Sequence, residues 1–311
     1  MMNATTPATS PDALLRRLEW TVLKRLDGLL QGDYRTLWRG SGLDLADLRE
    51  YQFGDDVRHI DWNVTARLQV PHVRQYTEDR ELAAWFLLDL SGSIDFGSAD
   101  RTKLGVSEGF VAVLARLLTR HGNRVGAMLY SSQVDGVLPP RIGRDHVLAL
   151  MARMRRKPVQ QAAHQTRLAD LLKAAATMVR RRSMIFVVSD FISEPGWAEP
   201  LAHLARRHEV LAVRLYDPLE LKLPDVGLVT LQDAESGEQI FVDTQDPGFR
   251  QRFEALAAEH EASVRAALAK AGVDTLELAT SDDLLASLMR FVTLRKQRLR
   301  MPAAWARAQA A

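Results

Sequence analysis

The chain has 311 residues, 47% of them hydrophobic and 26% charged, the balance of a folded globular protein and not of a disordered one. Its length suits one large domain or two small ones. No cysteine is present, which excludes a disulfide framework, thiolate zinc sites, iron–sulfur ligation and a cysteine nucleophile, and Lys and Arg at 41 against Asp and Glu at 39 leave only +2, so bulk charge makes no case for a nucleic-acid partner.

Met1 to Pro7 reads as a frayed tail, without the basic start or apolar core of a signal peptide. Ser10 as N-cap and Pro11 at the first helical position open an amphipathic helix running to about Leu30 and ended by Gly32. From Tyr34 to Glu81 the pattern is irregular, with a dense polar run from Arg49 to Trp62. Tyr51, Phe53, Ile60 and Trp62 are costly to leave in water, so this segment is expected to be ordered and to wrap one side of the core. Residues 1–80 are therefore assigned to a helix and an extension, 81–298 to the core domain and 299–311 to a basic tail.

Strands and helices then alternate. Leu82 to Leu88 and Met184 to Val188 are continuous apolar runs, as expected of strands buried on both faces. Both fall far short of the ~18–20 residues a bilayer span needs, so no membrane span and a cytoplasmic location are expected. Further strands are predicted over Arg124–Tyr130, Val210–Leu215 and Val273–Leu278, with an edge strand Val134–Leu138 closed by Pro139 and Pro140. Helices are predicted over Thr102–Arg120, Asp145–Arg155, Arg167–Arg182, around His203, over Pro247–Ala271 and after a Ser281 cap. Leu228–Leu231 and Gln239–Val242 flank Glu235-Ser236-Gly237-Glu238 and read as an inserted β-hairpin. Repeated alternation predicts an α/β fold with a doubly wound, mostly parallel sheet.

In such sheets ligands bind beyond the carboxyl ends of the strands. That rule selects Asp89-Leu90-Ser91-Gly92-Ser93 after one buried strand and Ser189-Asp190-Phe191 after another, with Thr166 just before the helix leading into the second. Asp89, Ser91, Ser93, Thr166 and Asp190 form an all-oxygen set, which suits Mg2+ or Mn2+ and disfavours zinc. Two aspartates merely balance a divalent ion, leaving room for one more oxygen, such as a Glu or Asp carboxylate from a partner.

The pattern Asp89-x-Ser91-x-Ser93, followed by Thr166 and Asp190, resembles the metal-ion-dependent adhesion site of von Willebrand factor type A domains. Upstream, Gly42-Leu43-Asp44-Leu45, Arg49-Glu50-Tyr51, Gly54-Asp55-Asp56-Val57-Arg58, Ile60-Asp61-Trp62-Asn63, Ala66-Arg67 and Glu78 to Glu81 resemble the bacterial family called domain of unknown function 58. The resemblance spans about Leu14 to Arg298. It implies a von Willebrand factor type A-like core and a Mg2+-dependent protein-binding role as adaptor or co-chaperone. The partners it implies are a MoxR-type AAA+ ATPase and a client protein. It also implies the soluble branch of a family whose longer members carry membrane segments. Arg49, Asp55, Asp56, Arg58, Asp61 and Trp62 are the partner-binding candidates outside the metal set.

Competing readings are specific. The Asp89–Ser93 run could be a polar strand-end turn. A serine nucleophile at Ser91 lacks the G-x-S-x-G elbow, since Asp89 stands two residues before it. An aspartyl-phosphate mechanism at Asp89 would expect a second acid where Ser91 stands, and no phosphate-gripping loop follows a strand. The chain is accordingly expected to be no enzyme, a Mg2+-dependent hydrolase of phosphorylated substrates being the alternative. Asp55, Asp56, His59 and Asp61 could ligate a second metal, but interleaved Arg49, Arg58 and Arg67 favour an ion-pair network. Arg153–Lys157 and Arg180–Arg182 are expected at helix ends, where cations meet exposed carbonyls. Arg290 to Ala311 has no acid, so a nucleic-acid or membrane-surface role for Arg295–Arg300 is a third reading, with Trp305 a docking anchor.

Overall fold

The computed structural model describes residue 12 and residues 47–52, 57, 60–75, 83–98, 101–156, 166–232 and 238–300. The predicted N-terminal helix lies outside these, apart from helical Asp12, whose carboxylate pairs with Arg144 at 2.6 Å. Within the stretch read as irregular, β1 (Asp47–Glu50) and β2 (His72–Gln75) pair antiparallel, with α1 (Trp62–Leu68) between them in the chain.

The core follows as β3 (Ala83–Asp89), α2 (Lys103–Arg120), β4 (Arg124–Tyr130), β5 (Val134–Arg141), α3 (Arg144–Arg155), α4 (Leu168–Met178), β6 (Met184–Ser189), α5 (Ala198–Arg207) and β7 (Glu209–Tyr216). It continues through α6 (Pro218–Leu221), the hairpin β8 (Leu228–Gln232) and β9 (Gln239–Asp243), α7 (Pro247–Ala271), β10 (Asp274–Ala279) and α8 (Leu284–Arg300). Six strands make one sheet in the order β10-β7-β6-β3-β4-β5, parallel except for β5. This is the doubly wound, mostly parallel α/β sheet the alternation predicts.

Alternate residues of β3 serve opposite faces. Phe86 and Leu88 join the layer of α2, α3 and α8, while Trp85 and Leu87 join that of α4, α5 and α7. Phe86 stacks on Phe186 of β6 at 4.9 Å, and Phe110 of α2 meets both edge-on at 6.4 and 6.2 Å. Such pairs add about 0.5–1.5 kcal/mol to the burial itself. They hold the two central strands and α2 in one rigid unit, and that unit carries the polar ends described below.

Four expectations need correction. β5 does not stop at Pro139 and Pro140 but runs through them to Arg141. It is the sheet's edge strand, and both prolines fall between the Leu138–Ala127 and Arg141–Val125 pairs, where the pairing with β4 shifts register. The helix predicted to Arg182 ends at Met178, so Arg180–Arg182 fall in the turn before β6 and not at a helix end. The last helix is capped by Asp283, not Ser281: its carboxylate accepts from the amides of Leu285 at 2.9 Å and Ala286 at 3.4 Å. Trp62, expected to be covered, is 69% exposed.

Candidate functional site at the carboxyl ends of the central strands

The chain leaves β3 toward β4 on one side of the sheet and leaves β6 toward β7 on the other, so the adjacent ends of β3 and β6 form the topological switch point. Asp89 ends β3 and Asp190 follows β6 there, and both are almost fully buried. Asp89 Oδ1 accepts from the Ser91 amide at 3.0 Å, and its Oδ2 accepts from the Ser189 hydroxyl at 2.6 Å. The Ser91 and Ser93 hydroxyl oxygens lie 3.2 Å apart on the turn that begins the short 3₁₀ segment Gly92–Asp95.

Asp190 is held at both oxygens. Oδ1 accepts from the Ile192 amide at 3.0 Å and Oδ2 from the Lys103 ammonium at 2.7 Å. The next residue, Phe191, takes a left-handed φ of 61°, unusual for a bulky side chain. It is held there by its ring, buried against Trp197 at 5.0 Å, and by its amide, which donates to Ser189 Oγ at 2.9 Å. Thr166 is buried, and its carbonyl accepts from the Ser193 hydroxyl at 2.8 Å and the Glu194 amide at 3.0 Å. The loop before α4 is thereby pinned to the segment that follows Asp190.

Burial pushes the Asp89 carboxyl up from 3.8 to about 6, and the neighbouring Asp190 charge adds to the rise against the hydrogen bonds from Ser189 and Ser91. Lys103 is enclosed in the first turn of α2 and makes a second ion pair, to Glu220 of α6 at 2.6 Å. Burial works against its charge, but Asp190 and Glu220 more than offset this and hold the ammonium above its usual range. Asp190 and Glu220 face the one ammonium and Asp89 lies beside Asp190, so the three carboxylates and one ammonium leave two formal negative charges. Oxygen donors carrying that charge are chemistry suited to a hard divalent cation. Among the described residues no three His, Cys, Asp or Glu side chains gather as a metal-binding group, so such a cation would depend on the hydroxyls of Ser91, Ser93 and Thr166 as well as on the two aspartates.

Sequence reasoning missed Lys103, Ser189, Asp217 and Glu220. Asp217 is the N-cap of α6, in a capping box with Pro218 first in the helix and Glu220 closing it, a signature readable in Asp217-Pro218-Leu219-Glu220. Its enclosed carboxylate also accepts from Ser98 and Thr280, binding the loop after β3 to the ends of β7 and β10. Lys103 carried a signal too, because a cation in the first turn of a helix opposes the helix dipole and needs a partner.

The other candidates separate from this site. Asp61 is buried as the N-cap of α1, accepting from the amides of Asn63 at 3.0 Å and Val64 at 3.2 Å, so its carboxylate is not offered to a partner. Asp55, Asp56, Arg58, His59, Trp305 and the Arg49 side chain lie outside the described residues. In the basic C-terminal stretch, Arg295 is committed to Glu209 at 2.5 Å and Asp274 at 3.3 Å, fastening α8 to the starts of β7 and β10. That removes it from the set proposed to bind nucleic acid or lipid. No helix among the described residues is long and apolar enough to cross a membrane.

Fold and site together define a doubly wound α/β protein with a buried acidic centre at its switch point. The chain belongs to the family described as Protein of unknown function DUF58, which matches residues 47–263. The uncharacterized protein Rv1480 of Mycobacterium tuberculosis (strain ATCC 25618 / H37Rv) is 41% identical over 285 residues, 92% of this chain and 90% of that one. Similar solved structures include the conserved hypothetical protein BatB from Bacteroides thetaiotaomicron, 14% identical, over 70% of this chain and 99% of that one, with a TM-score of 0.43. They also include a von Willebrand factor type A protein from Catenulispora acidiphila, 13% identical, over 70% of this chain and 42% of that one, with a TM-score of 0.35.

Proposed function

We propose that this protein is a Mg2+- or Mn2+-dependent protein-binding module, an adaptor between a MoxR-type AAA+ ATPase and its client, and not an enzyme. Asp89 and Asp190 anchor the cation, Ser91, Ser93 and Thr166 add hydroxyl oxygens, and an acidic side chain of the partner completes the shell. When bound, the cation supplies an electrophilic contact for that carboxylate. The observation that carries the reading is the buried Asp89–Asp190 pair at the switch point, which keeps a net negative charge after Lys103 is counted.

The protein's own groups have distinct tasks. Ser189 and the Ser91 amide hold Asp89 in one orientation, and the Ile192 amide holds Asp190. The Ser91 hydroxyl lies beside Ser93, an arrangement that serves coordination better than nucleophilic attack. The test is capture from native lysate by wild type and Asp89→Ala, each in excess Mg2+ and in EDTA. An AAA+ ATPase or its client retained only by wild type with Mg2+ is the expected result. Capture indifferent to both metal and Asp89 would move the interaction away from this centre. The variant should keep its fold, since a cation at ten times its Kd stabilises by only about 1.4 kcal/mol and the lost bonds from Ser189 and the Ser91 amide cost about 1–3 kcal/mol, and a melting curve checks this.

A further inference from the structure

We propose that Lys103 is the positioning residue of the metal centre: wedged between Asp190 and Glu220, its ammonium withholds Asp190 Oδ2 from the cation and sets how tightly the cation binds. The inference rests on the metal-dependent reading above and concerns a side chain that lies outside the coordinating set.

Lys103 is fully enclosed, on the first turn of α2, where the helix dipole already disfavours a cation. A lysine in that setting persists only because two carboxylates face it, at 2.7 and 2.6 Å. Neither can turn away. Asp190 is fixed through Oδ1 by the Ile192 amide, and Glu220 through Oε2 by the Asp217 amide in the capping box of α6. The ammonium therefore sits at a set place beside the centre, pairing with one ligand oxygen and opposing any second cation that approaches. Glu220 shares the same ammonium at 2.6 Å and offsets part of its charge. Metal affinity in this arrangement is a balance of three fixed charges, and each can be altered alone.

Two substitutions should move affinity in opposite directions. Lys103→Met keeps the length of the side chain and removes the competing charge, so Mn2+ should bind more tightly. Glu220→Gln keeps the hydrogen bond to the Asp217 amide but leaves the ammonium less neutralised, so Mn2+ should bind more weakly. Lys103→Arg keeps the charge and should stay near wild type. A purely architectural role would weaken binding in both of the first two variants, since each breaks a buried ion pair.

The experiment is titration of the full chain with Mn2+ alone, following free Mn2+ by electron paramagnetic resonance, with a melting curve for each variant. The expected result is a Kd lower by about tenfold in Lys103→Met and higher by about threefold in Glu220→Gln, modest figures for a unit charge a few ångström from a divalent ion. A Kd in Lys103→Met equal to or higher than wild type overturns the proposal. If that variant does not fold, Lys103→Gln takes its place as a second neutral side chain: tighter binding supports the proposal, and unchanged or weaker binding overturns it. A wild-type protein that takes up no Mn2+ overturns the metal centre itself and this inference with it. Wild-type uptake indifferent to Lys103 leaves the centre standing and removes only the role given to the lysine.

Discussion

The Ser189 hydroxyl donates to Asp89 Oδ2 at 2.6 Å across 100 positions of sequence, and the same oxygen accepts from the Phe191 amide at 2.9 Å. One side chain thus orients the carboxylate at the end of β3 and holds the left-handed turn after β6 that carries Asp190. Ser189→Ala removes both bonds at once inside a buried site. The expected cost is about 1–3 kcal/mol, because a buried acceptor and a buried amide lose their partner together. Urea denaturation in EDTA measures it, and a loss below about 0.5 kcal/mol would show that neither bond matters to the fold.

Asp217 joins distant parts of the same rim. It accepts from the Ser98 amide at 2.8 Å, the Ser98 hydroxyl at 2.6 Å, the Leu219 amide at 2.9 Å and the Thr280 hydroxyl at 2.6 Å. Burial raises its pKa, but the bonds from Ser98 and Thr280 outweigh this and hold it below 3.8. A folded value below the unfolded one means that the unfolded chain takes up the proton first. The stabilisation is complete above about pH 4 and is lost as pH falls through the folded value. Asp217→Asn should lower stability at pH 7 by about 2 kcal/mol and make acid unfolding shallower below pH 4. Denaturation curves at pH 7 and pH 3 check both parts.

His208 is buried between α5 and β7, with neither ring nitrogen partnered among the described residues. Burial lowers its pKa below 6.5, with Arg207 and Arg182 adding to the effect, so the ring is neutral in the fold. The unfolded chain is protonated first as pH drops, and this residue's contribution to stability declines below about pH 6.5. His208→Leu should raise stability by about 1–2 kcal/mol, since it removes unsatisfied polar atoms from an apolar site. The gain should be larger at pH 5 than at pH 8, and thermal melts at the two values are the check.

Gly97 leaves no room for a side chain. A Cβ there would stand 2.3 Å from the Arg101 carbonyl oxygen and 2.5 Å from Thr102 Cα, both backbone atoms. Gly97→Ala should therefore cost about 3 kcal/mol, the upper end for overpacking, and should displace both Ser98 and the start of α2 that carries Lys103. Melting temperature reads the first effect. Loss of Mn2+ affinity beyond that of a remote variant of equal instability reads the second.

The parts legible in the sequence were those set by local composition. β3 and β6 are continuous apolar runs because both of their faces are covered, and α7 matches Pro247 to Ala271 because Asp246, Pro247 and Gly272 mark its ends. Asp89 and Asp190 could be selected because a parallel sheet presents its ligands at its carboxyl edge. β5 was read as an edge strand but cut short at Leu138, because the register shift that lets it pass Pro139 and Pro140 belongs to its pairing with β4 and not to the segment itself. Ser281 was read as the cap of the last helix, and Asp283 takes that place because its carboxylate reaches the amides of Leu285 and Ala286.

What the sequence determined by itself was the alternation of elements, the two buried strands and the oxygen chemistry at their ends, because periodicity and residue type act over a few neighbours. What only the tertiary structure decided was the charge at the centre. Beyond the capping box that Asp217 and Glu220 form locally, the partners of Lys103, Ser189, Asp217 and Glu220 are named only by contacts such as Lys103 with Asp190 across 87 positions and with Glu220 across 117. Electrostatic interaction depends on distance in space and on exclusion of water, and both are set when α2, β6 and α6 pack together at one end of the sheet.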